Sequence, residues 1–188
     1  MRTVLKNTGI LLLITLVAVA ALAFVYELTK APIERAQQQQ KADAYGAVFP
    51  DAAAFDTLPD EAAVLAAFNA TRTDGSSVEE VLIARDAAGQ TLGFVAAAAS
   101  DKGYGGVIRI ALGIDKAGAV AGYAVLSHSE SPGFGANCEN EDVRQQFIGI
   151  TSADQIDGIT GATYTTQALR AATQAALALT AQLGEGIG

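Results

Sequence analysis

Hydrophobic residues are spread unevenly along this chain, and their first block is the longest. No charged side chain occurs between Gly9 and Tyr26, where leucine, valine, alanine and isoleucine predominate. With Thr8, this run just reaches the length that an α-helix needs to cross a bilayer. Tyr26 at its end suits the aromatic belt of a membrane interface. The pattern predicts a transmembrane helix over residues 9–27, preceded by a short polar segment over residues 1–8.

A cleaved signal peptide is the alternative interpretation of this block. Ala21-Leu22-Ala23 resembles the small-residue site at which a signal peptidase cuts. The apolar run continues past this site to Tyr26, which favours an uncleaved anchor. Both interpretations put the rest of the chain outside the cytoplasm. The flanking basic residues do not fix the orientation, because they are balanced across the block: Arg2 and Lys6 before it, Lys30 and Arg35 after it.

The next part of the chain has a helical pattern that prolines interrupt. Residues 30–47 are predicted to form a juxtamembrane helix that is entered through Pro32, and Pro50 ends this segment. Residues 61–69 are predicted to form a second, short helix with acidic residues in its first turn, where the helix dipole favours them. We therefore assign residues 28–70 to a juxtamembrane helical region.

Beyond this region the pattern changes to the alternation that is typical of strands. Its clearest example is residues 107–115, where the large aliphatic side chains recur at every second position and share one face: Ile108, Ile110, Leu112 and Ile114. Four strands are predicted, paired as two hairpins, over residues 78–85, 91–98, 107–115 and 119–127. Two hairpins favour an antiparallel sheet with one face buried.

Helical patterns return after the strands. Residues 141–148 are predicted to form a short helix, and a longer amphipathic helix ends the chain. Its apolar positions recur at helical spacing: Leu169, Ala172, Ala176, Leu179 and Leu183. The predicted fold class is α+β, with a single N-terminal transmembrane helix and then an antiparallel sheet with flanking helices in a domain over residues 71–188.

Composition narrows the classes of function. The chain has 188 residues and a formal net charge of −8 at pH 7, which argues against binding to nucleic acid or to anionic lipid headgroups. Cys138 is its only cysteine and His128 its only histidine. An internal disulfide, a cysteine cluster of this chain alone and a histidine-rich metal site are therefore excluded. We expect a structural role for His128 and no redox role for Cys138.

The segment over residues 157–166, DGITGATYTT, is the strongest candidate for chemistry. Its glycines permit a tight turn and the close approach of another molecule. The first-turn amides of the helix that follows lack internal partners, and the helix dipole favours an anion beside them. The segment is therefore a candidate phosphate site with a hydroxyl at its centre. The alternative is a turn with a threonine N-cap and no ligand.

Two other loops contain similar signals. Gly103-Tyr104-Gly105-Gly106 lies between the hairpins, and its glycines permit the close approach of a flat ring. The segment over residues 130–135, ESPGFG, follows the fourth strand. Taken singly, the first loop could be a flexible turn and the second a Pro-Gly turn with an exposed acid.

These three segments, in this order, resemble the covalent FMN-binding domain family. That family includes the G subunit of the Rnf electron-transport complex and the C subunit of the sodium-pumping NADH:quinone reductase. Its signature Asp-Gly-x-Ser/Thr-Gly-Ala-Thr is matched in full over residues 157–163, and the Gly103–Gly106 loop is similar to that of Rnf G subunits. The family's Glu-Thr-Pro-Gly-Leu-Gly loop has two differences here. Ser131 keeps the hydroxyl of threonine, and Phe134 replaces leucine as an apolar cover for the flavin.

The resemblance implies an FMN that is bound covalently. In the family, a flavin transferase joins the FMN phosphate to the last threonine of the signature, which is Thr163 here, and Asp157 and Gly158 belong to the sequence that it reads. The isoalloxazine ring is expected between the Tyr104 loop and the 130–135 loop. No catalytic residue and no metal ligand are implied. The implied cofactor-binding residues are Thr163, Thr160, Gly161, Ala162, Thr165, Thr166, Tyr104, Gly105, Glu130, Ser131, Pro132 and Gly133.

The short chain favours the Rnf G subunit within this family. The resemblance then implies a single-pass protein of the cytoplasmic membrane with its FMN domain on the extracytoplasmic side. It would relay electrons within an ion-translocating ferredoxin:NAD oxidoreductase, without complete activity alone. Its partners would be other membrane and iron–sulfur subunits, and the flavin transferase for maturation. The alternatives are a C-type subunit of the quinone reductase, a stand-alone extracytoplasmic flavoprotein reductase, and a non-redox binding domain in which the threonine motif is only a cap.

Overall fold

The computed structural model describes the backbone of residues 1–187 and the side chains of residue 1 and residues 6–184. This part of the chain forms two compact units, the first over Met1–Gln40 and the second beginning at Lys41. Helix α1, which runs from Arg2 to Val48, makes up the first unit and the beginning of the second.

Helix α1 is longer than the sequence pattern predicted. We predicted a transmembrane helix and then a separate helix entered through Pro32, whereas the structure has one continuous helix with Pro32 inside it. Proline removes one backbone hydrogen bond, but the residues after it are mostly good helix formers and the helix continues. Side chains 6–40 are exposed. The described part of the chain has one helical segment, Lys6–Val48, that is long and apolar enough to cross a membrane.

The second unit is built on a five-stranded antiparallel sheet whose strands follow one another in chain order. These strands are β1 (Ala54–Thr57), β2 (Ser76–Arg85), β3 (Thr91–Ser100), β4 (Ile108–Asp115) and β5 (Val120–Ser127). The other helices are α2 (Glu61–Ala70), α3 (Glu141–Phe147) and α4 (Thr163–Ile187). The predicted α+β class is confirmed.

The four predicted strands are present, with bounds within two residues of those expected, but β1 was missed. It is a four-residue strand at the edge of the sheet, where Phe55 is half-buried and its three other residues are exposed. Because such a strand buries so little, it lacks the alternation of apolar and polar residues that identifies strands in a sequence.

One face of the sheet carries the main core. Helix α4 packs across β2, β3 and β4. The β4 side chains predicted to share a face are all fully buried in this core: Ile108, Ile110, Leu112 and Ile114. Leu169 and Leu179 of α4 belong to the same core. The alternation in β4 and the helical spacing in α4 therefore identified the two surfaces that meet.

The prediction that the opposite face is solvated was wrong. A second core lies there, in which Tyr45, Val48 and Phe49 pack against strand residues such as Val95 and Ala97. All residues of β3 from position 93 to its end are buried. Val95 and Ala97 of β3 face this second core, whereas Ala96 and Ala98 belong to the main core, so β3 is buried on both faces.

Paired glycines allow the end of α1 to lie directly on the strands. Gly113 of β4 pairs with Gly122 of β5. A Cβ atom at Gly113 would lie 2.4 Å from the Val48 carbonyl oxygen, and one at Gly122 would lie 2.3 Å from it. Side chains at these two positions would push Val48 away, so the close contact requires glycine.

Candidate functional site

Three loops meet at one edge of the sheet. The β3–β4 connection, residues 101–107, leaves the sheet where Ser100 pairs with Ile108. The segment that follows β5 begins at the same edge, because Ser127 pairs with Arg109. The antiparallel order of the strands therefore brings the glycine-rich loop beside the 130–135 loop, and α4 begins next to both.

The Glu130 carboxylate connects the three loops. Its Oε1 accepts a hydrogen bond from the Gly105 backbone N–H at 2.8 Å. Its Oε2 accepts one from the Thr165 hydroxyl in the first turn of α4. Glu130 is only 6% exposed, so the alternative of a Pro-Gly turn with an exposed acid is excluded. The three motifs lie far apart in the sequence, so the sequence alone did not predict these hydrogen bonds between them.

His128 supports the backbone at Glu130. Its Nδ1 accepts a hydrogen bond from the Glu130 backbone N–H at 3.0 Å, so the ring proton is assigned to Nε2. The Nε2 atom lies 3.1 Å from Glu139 Oε1. This arrangement agrees with the structural role expected for the single histidine.

A cavity of about 310 Å³ opens between the three loops. This volume falls in the range of small-molecule sites, roughly 300–1,000 Å³. The residues that line it are Tyr104, Glu130, Ser131, Pro132, Phe134, Gly135, Gly161, Ala162, Thr163, Tyr164 and Thr165. The structure therefore brings eight of the twelve predicted cofactor-binding residues to one cavity.

Exposed aromatic rings surround the cavity. Tyr104, Phe134 and Tyr164 are 73%, 57% and 61% exposed. The rings of Tyr104 and Tyr164 are tilted against one another, with centroids 6.4 Å apart. Exposed aromatic rings at a cavity mouth are suited to covering a flat ligand.

Thr163 is exposed and is the first residue of α4. The residue before it is Ala162, whose side chain has no atom that could cap the helix. The Thr166 N–H makes a helical hydrogen bond to the Ala162 carbonyl at 3.0 Å, and the amides before it belong to the turn that lacks helical acceptors. The simple N-cap alternative is weakened, because Thr163 lies inside the helix rather than at its cap.

Gly161 shapes the turn that enters this helix. Its φ of 76° is in the left-handed region that favours glycine. A Cβ atom there would lie 3.1 Å from the Phe134 ring. The glycine of the motif therefore meets a backbone requirement and a packing requirement at one position.

Two of the threonines expected near the phosphate have protein partners. The Thr166 hydroxyl donates to the Ala162 carbonyl and accepts from the Ile159 N–H, both at 3.0 Å. The Thr165 hydroxyl donates to Glu130. Both hydroxyls hold the entrance of α4 in place, and a role for them as phosphate ligands stays a prediction.

Other predicted residues are not part of the cavity wall. The Gly105 N–H donates its hydrogen bond to Glu130. A Cβ atom at Gly105 would lie 1.9 Å from the Ser129 carbonyl oxygen, so this position requires glycine. The remaining four are exposed or partly exposed and are absent from the cavity lining: Gly133, Asp157, Gly158 and Thr160.

Sequence reasoning missed Tyr164 and Gly135 as cavity residues. Tyr164 carried a usable signal, since it is an aromatic residue directly after Thr163. Gly135 carried none, because its importance depends on the fold. A Cβ atom there would lie 2.3 Å from Glu130 Oε2 and 2.5 Å from Thr165 Oγ1.

Cys138 is fully buried near this site. Burial raises the pKa of its thiol to about 11, and the neighbouring carboxylates of Glu139 and Glu130 contribute to the shift. The thiol is therefore protonated and poorly nucleophilic at neutral pH. This agrees with the expectation that Cys138 has no redox role.

Comparisons with known proteins assign the part of the chain that forms the cavity to a known domain family. Residues 103–178 match the family model described as an FMN-binding domain. This span contains all three loops. Residues 1–48 match the model described as the RnfG N-terminal region.

Relatives of known identity extend over most of the chain. The G subunit of an ion-translocating oxidoreductase complex from Aliivibrio fischeri is 30% identical over 184 residues, covering 90% of this chain and 86% of the relative. The protein of the same name from Methanosarcina acetivorans is 29% identical, with 89% of each chain covered. The G subunit of the Na⁺-translocating ferredoxin:NAD⁺ oxidoreductase complex of Acetobacterium woodii is 26% identical, covering 89% of this chain and 87% of the relative. This chain therefore belongs to the family of G subunits of Rnf-type ion-translocating oxidoreductase complexes, and it carries the FMN-binding domain of that family.

Proposed function

We propose that this protein is a membrane-anchored flavoprotein subunit of an ion-translocating ferredoxin:NAD oxidoreductase and relays electrons through FMN bound covalently at Thr163. The observation that carries the proposal is that Thr163 is an exposed residue at the start of α4, in the wall of the cavity that the three motif loops share.

The residues of this cavity fit FMN. Its mouth has exposed aromatic rings that suit a flat ring system. Its wall includes the first turn of a long helix, whose amides and dipole suit a phosphate. These two features lie on adjacent residues, Thr163 and Tyr164, so one ligand with a phosphate and a ring can engage both.

Attachment at Thr163 requires an accessible hydroxyl. Among the threonines that line the cavity, Thr163 is exposed, whereas Thr165 is buried and hydrogen-bonded to Glu130. The Thr163 oxygen would bond to the phosphorus of an activated flavin nucleotide as the bond from that phosphorus to its leaving group breaks, so the protein gains FMN less one water. A flavin transferase would supply this chemistry, as the resemblance to the covalent FMN-binding family implies.

The chain's own residues would position the cofactor and exclude water from it. The first-turn amides of α4 would hold the phosphate, and the Tyr104 and Phe134 rings would cover the ring system. Glu130 keeps the three loops together. When bound, FMN supplies the electron-transfer chemistry, so the protein needs no catalytic base and would have no complete activity alone.

The long apolar helix and the relatives support a membrane location and partners within the same complex. The apolar part of α1 would cross the cytoplasmic membrane once, with the FMN domain on the extracytoplasmic side. Covalent attachment is advantageous there, because a dissociated FMN would be lost from the cell. The partners would be the other membrane and iron–sulfur subunits of the complex. The relatives named as G subunits favour this assignment over a C-type subunit of a quinone reductase or a stand-alone reductase.

Mass spectrometry of the full-length protein, coexpressed with a flavin transferase and exported, tests the proposal. Cleavage after Arg144 and Arg170 gives a peptide, residues 145–170, that contains Thr163 and four other threonines. Fragment ions must therefore locate the adduct. We expect a mass increase of FMN less one water on Thr163, retained in Thr163→Ser and lost in Thr163→Ala. An exported, transferase-exposed protein without the adduct would refute covalent attachment.

A further inference from the structure

The Glu130 carboxylate is a buried charge in the wall of the cavity. Both of its oxygens accept hydrogen bonds, one from the Gly105 N–H and one from the Thr165 hydroxyl. The peptide N–H can only donate, and the hydroxyl donates as well, so this pattern suits the ionised carboxylate. The two donors are neutral and stabilise the charge without cancelling it.

The basic side chains that the structure describes leave this charge without an ion pair. Among residues 6–184, neither a lysine nor an arginine forms an ion pair with Glu130. The nearest ionisable side chain along the chain is His128, which accepts the Glu130 backbone N–H through Nδ1. This contact is with the Glu130 backbone rather than with its carboxylate, and the other ring nitrogen faces Glu139.

The charge of Glu130 acts over a distance with little screening. Glu130 is 6% exposed, and charges in a protein interior are screened far less than charges in water. Its influence already extends to the Cys138 thiol, where it contributes to the raised pKa after burial and Glu139. The cavity is lined by the same Glu130 side chain, so a cofactor in it would be subject to this charge.

We propose that Glu130 holds the three loops of the cavity together and also lowers the reduction potential of the bound flavin through its uncompensated negative charge. This inference rests on the proposed FMN site. Reduction adds negative charge to the flavin, and a fixed anion nearby makes that addition less favourable. The protein's contribution to a cofactor includes such tuning by nearby charges.

Potentiometric titration of the flavinylated full-length protein in detergent tests this inference. Glu130→Gln preserves the shape of the side chain and removes the charge. We expect the midpoint potential of this variant to rise. At a fixed potential, the ratio of reduced to oxidised flavin should increase at least tenfold, which corresponds to about 30 mV for a two-electron couple.

The matched control is Glu139→Gln. It removes the same charge nine positions along the chain from a side chain that is 61% exposed and screened by water. Its amide oxygen can still accept from His128 Nε2. We expect a shift much smaller than that of Glu130→Gln. Equal shifts in the two variants would mean that only the net charge of the protein matters, and would overturn the inference.

Thr165→Val distinguishes the effect of the Glu130 charge from the effect of the hydrogen bonds by which Glu130 holds the loops together. This variant removes a hydrogen bond that stabilises the Glu130 charge but leaves the charge in place. We expect its potential to stay the same or fall, opposite to Glu130→Gln. If Glu130 only held the loops together, both Glu130→Gln and Thr165→Val would weaken the same hydrogen bond, and both would move the midpoint potential in the same direction. If Glu130→Gln does not retain flavin, an upward shift in Thr165→Val alone would overturn the inference.

Failure of this inference is distinguishable from failure of the proposed function. Absence of the adduct from the wild-type protein is a failure of the FMN assignment. A wild-type and a Glu130→Gln protein with equal flavin content and equal midpoint potentials would leave the FMN assignment intact and reject the role of the Glu130 charge.

Discussion

The Tyr45 hydroxyl donates a hydrogen bond of 2.6 Å to Glu80, and this contact joins the last turns of helix α1 to strand β2. Lys41 donates to the same carboxylate oxygen at 2.9 Å. Burial alone would raise the pKa of Glu80, but the hydrogen bonds from Tyr45 and Lys41, with the charge of Lys41, outweigh it and hold that pKa below its usual value.

This lowered pKa predicts a pH dependence of stability. A carboxyl group with a lower pKa in the folded state contributes stability that is present above the unfolded-state pKa and is lost as the pH falls through the folded-state pKa. We therefore expect Glu80→Gln to reduce the free energy of unfolding at pH 7 and to make its decline towards acid pH shallower. Denaturant unfolding of the full chain in detergent between pH 7 and pH 3 measures both effects. Parallel pH profiles for the wild type and the variant would contradict the assignment.

The glycine pair beneath Val48 predicts a second effect on stability. Gly122→Ala would place a Cβ atom 2.3 Å from the Val48 carbonyl oxygen, and overpacking of this kind costs about 1–3 kcal/mol. The control is Gly46→Ala, at an exposed position of α1 with no atom within 4 Å of the new Cβ. Helix propensity predicts that this control stabilises the protein by up to about 1 kcal/mol. Denaturant unfolding should therefore give shifts of opposite sign.

The turn before Thr163 predicts a loss of flavin attachment in Gly161→Ala. Alanine at a φ of 76° is strained by about 1–2 kcal/mol, and the new methyl group would press on Phe134. Gly149→Ala is the matched control, since Gly149 has a φ of 80° and nothing within 4 Å of its Cβ position, and it does not line the cavity. Both variants should lose stability equal to the strain energy of a left-handed alanine, but only Gly161→Ala should show reduced flavinylation by mass spectrometry. Equal flavinylation in both would indicate that the turn does not shape the attachment site.

The exposed aromatic rings at the cavity mouth are expected to shield the bound flavin from solutes in water. Because the Tyr164 ring is 61% exposed, its removal in Tyr164→Ala should change the free energy of unfolding of the unflavinylated protein by no more than about 0.5 kcal/mol. In the flavinylated protein, the same change should increase quenching of flavin fluorescence by iodide. Tyr164→Phe keeps the ring and should retain the wild-type protection. Unchanged quenching in Tyr164→Ala would mean that this ring does not cover the flavin.

The sequence by itself determined the features that depend on nearby residues. The alternation from Ile108 to Ile114 identified β4 and its buried face, and helical spacing identified α4. Turn chemistry and motif order identified the loops of the cavity. Each of these signals is contained within a few consecutive residues, where backbone conformation and side-chain direction are coupled.

The tertiary structure alone decided which faces and which polar groups are buried. Glu130 reads as an acid in a turn, and only its contacts with Gly105 and Thr165, 25 and 35 positions away, make it a buried connector of three loops. The contact between Tyr45 and Glu80 spans 35 positions as well, and it helps hold the last turns of α1, from Lys41 on, on a sheet face that the pattern predicted to be solvated. Local periodicity does not contain such contacts, because burial depends on which distant segments the folded chain brings together.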